Sequence, residues 1–158
     1  MQLSWSHKLF LRVNAQVGKR RWLDIFMIFC ARWLIYIQVA IWVWLLRISW
    51  VGLILFGFIF LTAYSISIGI GLVWPHKRPA AELPQVKILV KTISNWKSFP
   101  SDHTTISFLG AFLSLILFFE PSTMYLPPVF LLVAVLIAIG RIYVGVHYPR
   151  DIVGGIIL

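Results

Sequence analysis

The stretch WVGLILFGFIFLTAYSISIGIGLVW, from Trp50 to Trp74, runs for 25 positions without a charged residue. Crossing roughly 30 Å of hydrocarbon takes about 20 apolar residues in a helix. This run is therefore long enough to span a bilayer. Its unbroken apolar character, with no alternation of polar positions, argues against a lipid-facing barrel strand. The whole chain agrees with it: 60% of residues are hydrophobic, only 12% are charged, and the mean hydropathy is +0.89. A soluble domain of 158 residues has too high a surface-to-volume ratio to bury that much apolar area. A soluble globular protein is excluded.

Outward from that run, three further apolar stretches follow the same logic. Residues 22–46 form one, interrupted by Asp24, Arg32 and Gln38; residues 103–119 form a slightly short one; residues 127–146 form an adequate one. Trp22 and Trp44, then Trp50 and Trp74, sit near span ends, as interfacial aromatic anchors do. Residues 1–21 mix Ser4, His7, Lys8, Arg12, Asn14, Lys19, Arg20 and Arg21 with Leu3, Trp5, Leu9, Phe10, Leu11, Val13 and Val17. That pattern predicts an amphipathic segment lying in the headgroup layer. The first long apolar run has no small-residue cleavage site, so it reads as a retained span and not as a signal peptide. Pro75, Pro79, Pro84 and Pro100 mark 75–102 as a polar loop, 120–127 as a short turn, and Pro149 as the start of another helix. Seven residues follow Asp151, and at about 1.5 Å each they cannot cross a membrane. The expected fold is thus an all-α polytopic membrane protein: a helical bundle of four full spans plus a truncated fifth, with an N-terminal interfacial amphipathic helix. Residues 1–21 form the interfacial segment and 22–158 the membrane domain. The single cysteine, Cys30, lies inside an apolar run, so no disulfide framework exists and a small buried hydrophobe is expected there.

Parity brings the polar clusters together. Two spans separate the N-terminus from the loop at 75–102, and two more return the chain to the same face at His147. Three clusters then meet there. Arg78 offers a planar fork for two phosphate oxygens, and Lys77 a compact positive charge. Ser101, Asp102 and His103 precede an apolar helix, whose N-terminus presents unpaired N–H groups to an anion; Ser101 or Asp102 also suits a simple N-cap. Arg141 lies near the end of a span, His147 in the following turn and Asp151 four residues on. A carboxylate beside one imidazole nitrogen fixes the tautomer and leaves the other nitrogen free to attack. In a lipid-embedded chain, this collection points to phosphoryl transfer on a lipid phosphate.

The pattern resembles the type-2 phosphatidic acid phosphatase superfamily of membrane phosphatases, related in fold to vanadium haloperoxidases. Arg78-Pro79 matches the end of its first motif, Pro100-Ser101-Asp102-His103 the second at three of four positions, and Arg141, His147 and Asp151 the third with the family's spacing. Asp102 followed by Thr104-Thr105 is similar to the bacterial branch that hydrolyses undecaprenyl diphosphate. Gly71 stands where the first motif has a lysine, and Gly140 where the third has a serine. The resemblance implies catalytic roles for His147, His103 and Asp151. His147 attacks phosphorus, Asp151 holds its ring, and His103 protonates the leaving oxygen and then activates water. Arg78, Arg141 and Ser101 neutralise the phosphate, with Asp102 and Lys77 as further candidates at the phosphate site. No metal and no cofactor are implied. The partners implied are a lipid phosphate and the bilayer, with no nucleic acid.

Two other classes compete. One is a metal hydrolase with His103, His147 and Asp151 as ligands. The other is a non-catalytic transporter or assembly subunit built around Arg32 and Gln38. Within the phosphatase reading, phosphatidic acid and phosphatidylglycerol phosphate are alternative substrates. Twelve of the fourteen Lys and Arg residues lie on or beside the proposed active face, which by the positive-inside rule faces the cytoplasm. The family resemblance implies the opposite: a multi-pass protein of the cell (inner) membrane with an extracytoplasmic active site. Several of these cations have a phosphate-binding explanation, so the resemblance is preferred.

Overall fold

The uncharged run at 50–74 folds as a single helix, and the other apolar runs assemble around its neighbours. The computed structural model describes residues 4–47, 49–92, 96–118 and 120–158; Leu3 and Phe119 of the sequence reading lie outside these. Among the described residues there are eight helices and no strand. They are α1 (Trp5–Asn14), α2 (Arg21–Arg32), α3 (Leu34–Leu46), α4 (Trp50–Val73), α5 (Pro79–Glu82), α6 (Asp102–Leu117), α7 (Leu126–Tyr143) and α8 (Pro149–Ile157). The Ser49 side chain caps α4 by accepting from the Gly52 N–H at 3.0 Å. Proline opens α5 and α8 and lies in the first turn of α7, where a missing N–H leaves no bond unmade.

Among the described residues, two helices, α4 and α7, are long and apolar enough to cross a membrane. The expected span at 22–46 is instead a pair, α2 and α3, bent by 45° at Trp33, and counts as a third if the pair is one span. Helix α6 has 16 residues, or about 24 Å at the helical rise, less than the hydrocarbon thickness. Helix α8 has nine residues. The architecture is all-helical as expected, with α6 shorter than a full span.

Lipid supplies no hydrophobic drive between helices, so association rests on close packing and interhelical hydrogen bonds. Helix α7 provides the seam, packing on α2 and α6, while α6 packs on α4 and α8. At Gly140 the α2 backbone comes so near that a Cβ would meet the Ala31 nitrogen at 3.0 Å. Deeper in, Trp42 is fully buried and stacks between Phe56 and Phe130, with ring centroids at 5.4 and 5.1 Å. Beside it, the buried Gln38 amide donates to the Ser107 carbonyl at 2.9 Å and ties α3 to α6.

Helix α1 is amphipathic, with Lys8 and Arg12 exposed, but several of its uncharged polar residues turn inward. Ser6, His7, Phe10 and Asn14 are buried against α7 and α8, while Trp5 and Leu9 are exposed. Asn14 donates to the carbonyls of Lys87 at 2.8 Å and Tyr143 at 3.2 Å, and accepts from the Lys87 N–H at 2.9 Å. The α7–α8 turn beside this tie needs Gly145. Its φ is +86°, and a Cβ there would meet the Lys87 carbonyl at 2.6 Å. This pinning holds the turn that carries His147.

Candidate active site

Four chain segments converge where α7 ends and α8 begins. Arg78 arrives from the segment between α4 and α5, Arg141 from the last turn of α7, His147 from the α7–α8 turn, and the 97–103 segment from the start of α6. Arg78 Nη1 donates to the Val146 carbonyl at 3.1 Å and to His147 Nε2 at 3.2 Å. Arg141 Nη1 donates to the Ala31 carbonyl at 3.0 Å, which fixes its fork, and Nη2 reaches His147 Nε2 at 3.4 Å. Two guanidinium groups therefore face one imidazole nitrogen. Among the described residues, the buried Arg141 Nε has no hydrogen-bond partner.

Those contacts assign the tautomer. Nε2 receives N–H donors and must be the acceptor, so the proton sits on Nδ1, which donates to the Ser98 carbonyl at 2.9 Å. Asp151 Oδ2 lies 3.7 Å from Nδ1, and its short bonds go elsewhere. It accepts from Ser98 Oγ at 2.5 Å and from the Tyr148 N–H at 2.8 Å, closing a capping box on α8. Asp151 thus holds the segment whose carbonyl holds the ring.

The imidazole is 2% exposed. Burial holds its pKa down, to about 4, and the guanidiniums of Arg141 and Arg78 act in the same sense against Asp151. Arg78 is also pulled below its ordinary value by burial, opposed by the charges of Asp102 and Asp151. His147 is therefore neutral at pH 7, the form with a free lone pair. Its native pKa lies below the ordinary 6.5, so the unfolded chain binds the extra proton. That contribution to stability is fully present above about pH 6.5 and is lost as pH falls towards 4, worth about 3 kcal/mol across the window. The thermal midpoint in detergent is expected to fall from pH 7 to 4.5, and His147→Gln to flatten that fall; an equal slope in both proteins would refute the assignment.

The remaining candidates are placed as follows. His103 stands half-buried in the first turn of α6, within electrostatic reach of His147, Arg78 and Arg141. Ser101 is fully buried at the α6 N-cap; its N–H donates to the Asp151 carbonyl at 3.1 Å and its Oγ accepts from Thr104 at 3.1 Å. Asp102 forms an ion pair with Lys97 and accepts from Ser67 Oγ at 2.6 Å. Lys77 is exposed, whereas Lys97 is buried. Arg32 and Gln38 stay apart from this cluster: Arg32 lies over the Trp33 ring at 5.1 Å, and Gln38 bonds within the bundle. Among the described residues, no three His, Cys, Asp or Glu side chains are grouped to hold a metal ion. With two cations at His147 Nε2, the site suits an anion.

Sequence reasoning missed Ser98, Lys97 and Ser67. Lys97 and Ser98 directly precede Phe99-Pro100-Ser101, and that adjacency was the one available signal. Ser67 carries none, being a hydroxyl in an apolar helix.

The chain matches known proteins in sequence and in fold. Residues 52–158 match the PAP2 superfamily. The chain is 30% identical over 153 residues to Escherichia coli (strain K12) YbjG, which bears the provisional name undecaprenyl-diphosphatase; the match covers 94% of this chain and 74% of YbjG. It is 43% identical over 82 residues to the Bacillus licheniformis bacitracin transport permease protein BcrC, over 51% of this chain and 37% of that protein. Among solved structures, Aquifex aeolicus LpxE superposes with a TM-score of 0.76 at 26% identity, over 99% of this chain and 90% of LpxE. The first transmembrane PAP2-type phosphatidylglycerolphosphate phosphatase from Bacillus subtilis shares the fold, with a TM-score of 0.70 at 23% identity, over 98% of this chain and 81% of the other. More than half of the chain matches the family, and that match includes every residue of the arginine–histidine cluster: this protein belongs to the PAP2 superfamily.

Proposed function

We propose that this chain is an integral-membrane lipid phosphatase of the inner membrane that hydrolyses undecaprenyl diphosphate to undecaprenyl phosphate and phosphate. One observation carries the reading: Arg78 and Arg141 converge on His147 Nε2 while Nδ1–H is held by the Ser98 carbonyl. A phosphate drawn in by the two guanidiniums places its phosphorus against the only basic nitrogen of that ring. The match to YbjG over most of both chains supports the undecaprenyl substrate.

In the first half-reaction the Nε2 lone pair forms an N–P bond as the P–O bond to the lipid phosphate breaks, and His103 gives its proton to the leaving oxygen. In the second, His103 takes a proton from water, whose oxygen attacks phosphorus and returns Nε2. Arg78 and Arg141 balance the charge on the equatorial oxygens throughout, and most of the rate enhancement lies in that stabilisation. Ser101 and the N-terminal amides of α6 add neutral donors, and Asp151 acts on His147 through Ser98. Helices α2–α3, α4, α6 and α7 serve as four membrane passes around this site.

The test is phosphate release by the purified protein from a panel of lipid mono- and diphosphates, with chelator present. Undecaprenyl diphosphate is expected to be turned over fastest, with an acid-labile phosphoenzyme that is absent from His147→Gln. Preference for phosphatidic acid or phosphatidylglycerol phosphate would redirect the substrate, and an acid-stable adduct would remove the phosphohistidine. The active face is read as extracytoplasmic. An impermeant maleimide applied to intact cells is expected to label Lys91→Cys on the exposed loop; protection of that cysteine would reverse the orientation.

A further inference from the structure

Lys97 is buried and Asp102 is partly exposed, with side chains 7% and 29% accessible, and the two form an ion pair at the start of α6. Burying an ammonium group needs full compensation, and here it is supplied. Besides Asp102 Oδ1, the Lys97 ammonium donates to Ser67 Oγ at 3.2 Å and to the Pro100 carbonyl at 3.3 Å. An ammonium has three protons, so none remains for a substrate oxygen. The stem of the side chain lies in a notch on α4: a Cβ at Gly71 would meet Lys97 Cγ and Cε at 2.8 Å and Cδ at 2.9 Å. Ser67 and Gly71 are one helical turn apart on that face, and together they form a seat for this lysine.

The consequence concerns charge. Asp102 immediately precedes His103, and its field reaches Arg78. A bare carboxylate there would repel an incoming phosphate. We infer that Lys97 is a positioning residue, held by Ser67 and the notch at Gly71, which neutralises Asp102 so that the site beside His103 admits a phosphate dianion. This deepens the phosphatase reading and rests on it. It assigns Lys97 to control of phosphate affinity without contact with substrate.

The experiment is a charge cycle on the full chain in detergent, reading KM, kcat and inhibition by inorganic phosphate. Lys97→Met is expected to raise KM and the phosphate inhibition constant by about tenfold or more, as like-charge repulsion does, with a smaller change in kcat. Lys97→Met with Asp102→Asn is expected to bring both constants back to within about threefold of Asp102→Asn alone, because the repelling charge is gone. Gly71→Val, which pushes the stem out of its seat, is expected to reproduce the loss and to be rescued by Asp102→Asn in the same way. If Lys97→Met does not fold, the double variant still decides by its KM relative to Asp102→Asn. A double variant as weak as Lys97→Met, or weak where Asp102→Asn is not, overturns the inference and leaves the phosphatase reading intact. A wild-type chain that binds no phosphate and hydrolyses no lipid phosphate overturns both.

Discussion

Replacing His147 by alanine is expected to reduce phosphate release from a lipid diphosphate to background, a fall of about 10⁴-fold or more in kcat. The size follows from the site's construction. Both guanidiniums, of Arg78 and Arg141, address Nε2 of His147, and its partner nitrogen is already fixed as a donor. On the proposed mechanism, loss of this nitrogen leaves His103 with no nucleophile to complement it. The same substitution removes an acceptor from two buried cations, so unfolding in detergent must be followed alongside the rate. His147→Gln, which keeps an acceptor without a basic nitrogen, is expected to fold and to be equally inactive. Retention of more than a tenth of the wild-type rate in either variant, with the fold intact, would remove His147 from the chemistry.

Arg141→Met should lower kcat/KM by about 10²- to 10³-fold, the range found when one preorganised donor to transition-state charge is lost. Methionine has a similar length and no charge, so it separates the electrostatic role from the packing one. Arg141→Lys is expected to recover little. The arginine holds the Ala31 carbonyl with one nitrogen and turns a second towards His147. A single ammonium cannot reproduce that planar fork. The pair of variants, assayed for kcat/KM against a folded control, decides between directed donation and mere positive charge. Lysine activity equal to wild type would reduce Arg141 to a counter-charge.

Much of this was legible in sequence because it rests on periodicity and parity. The uncharged run at 50–74 became α4 with nearly the same ends, and Arg78, Arg141 and His147 do meet as the parity reading expected, although about 70 positions separate Arg78 from His147 and only two or three of the described helices are long enough to span. The bend at Trp33 was not legible, since neither proline nor glycine marks it. The docking of α1 was hidden for another reason. Its polar residues read equally as water-facing, and the partner of Asn14, Lys87, lies 73 positions away. The role of Asp151 shows the limit most clearly. Its spacing four residues after His147 suggests direct contact, and Oδ2 does lie 3.7 Å from Nδ1, but the shorter Nδ1–H bond, at 2.9 Å, is accepted by a backbone carbonyl, that of Ser98. Every residue has a carbonyl, so none stands out in a sequence. Lys97 was missed similarly: a lysine in a polar loop looks solvated until the glycine that accommodates its stem is seen.

Under the reading proposed above, the sharing of Nε2 between two guanidinium groups sets what the site does before a substrate arrives. With both donors directed at it, the lone pair is shielded, and an uncharged electrophile arriving from the lipid meets a masked atom. An anion with several oxygens competes for the same N–H groups and, by winning them, exposes the nitrogen to its own phosphorus. On the proposed mechanism, bond making at Nε2 is thereby conditional on the charge of the incoming group.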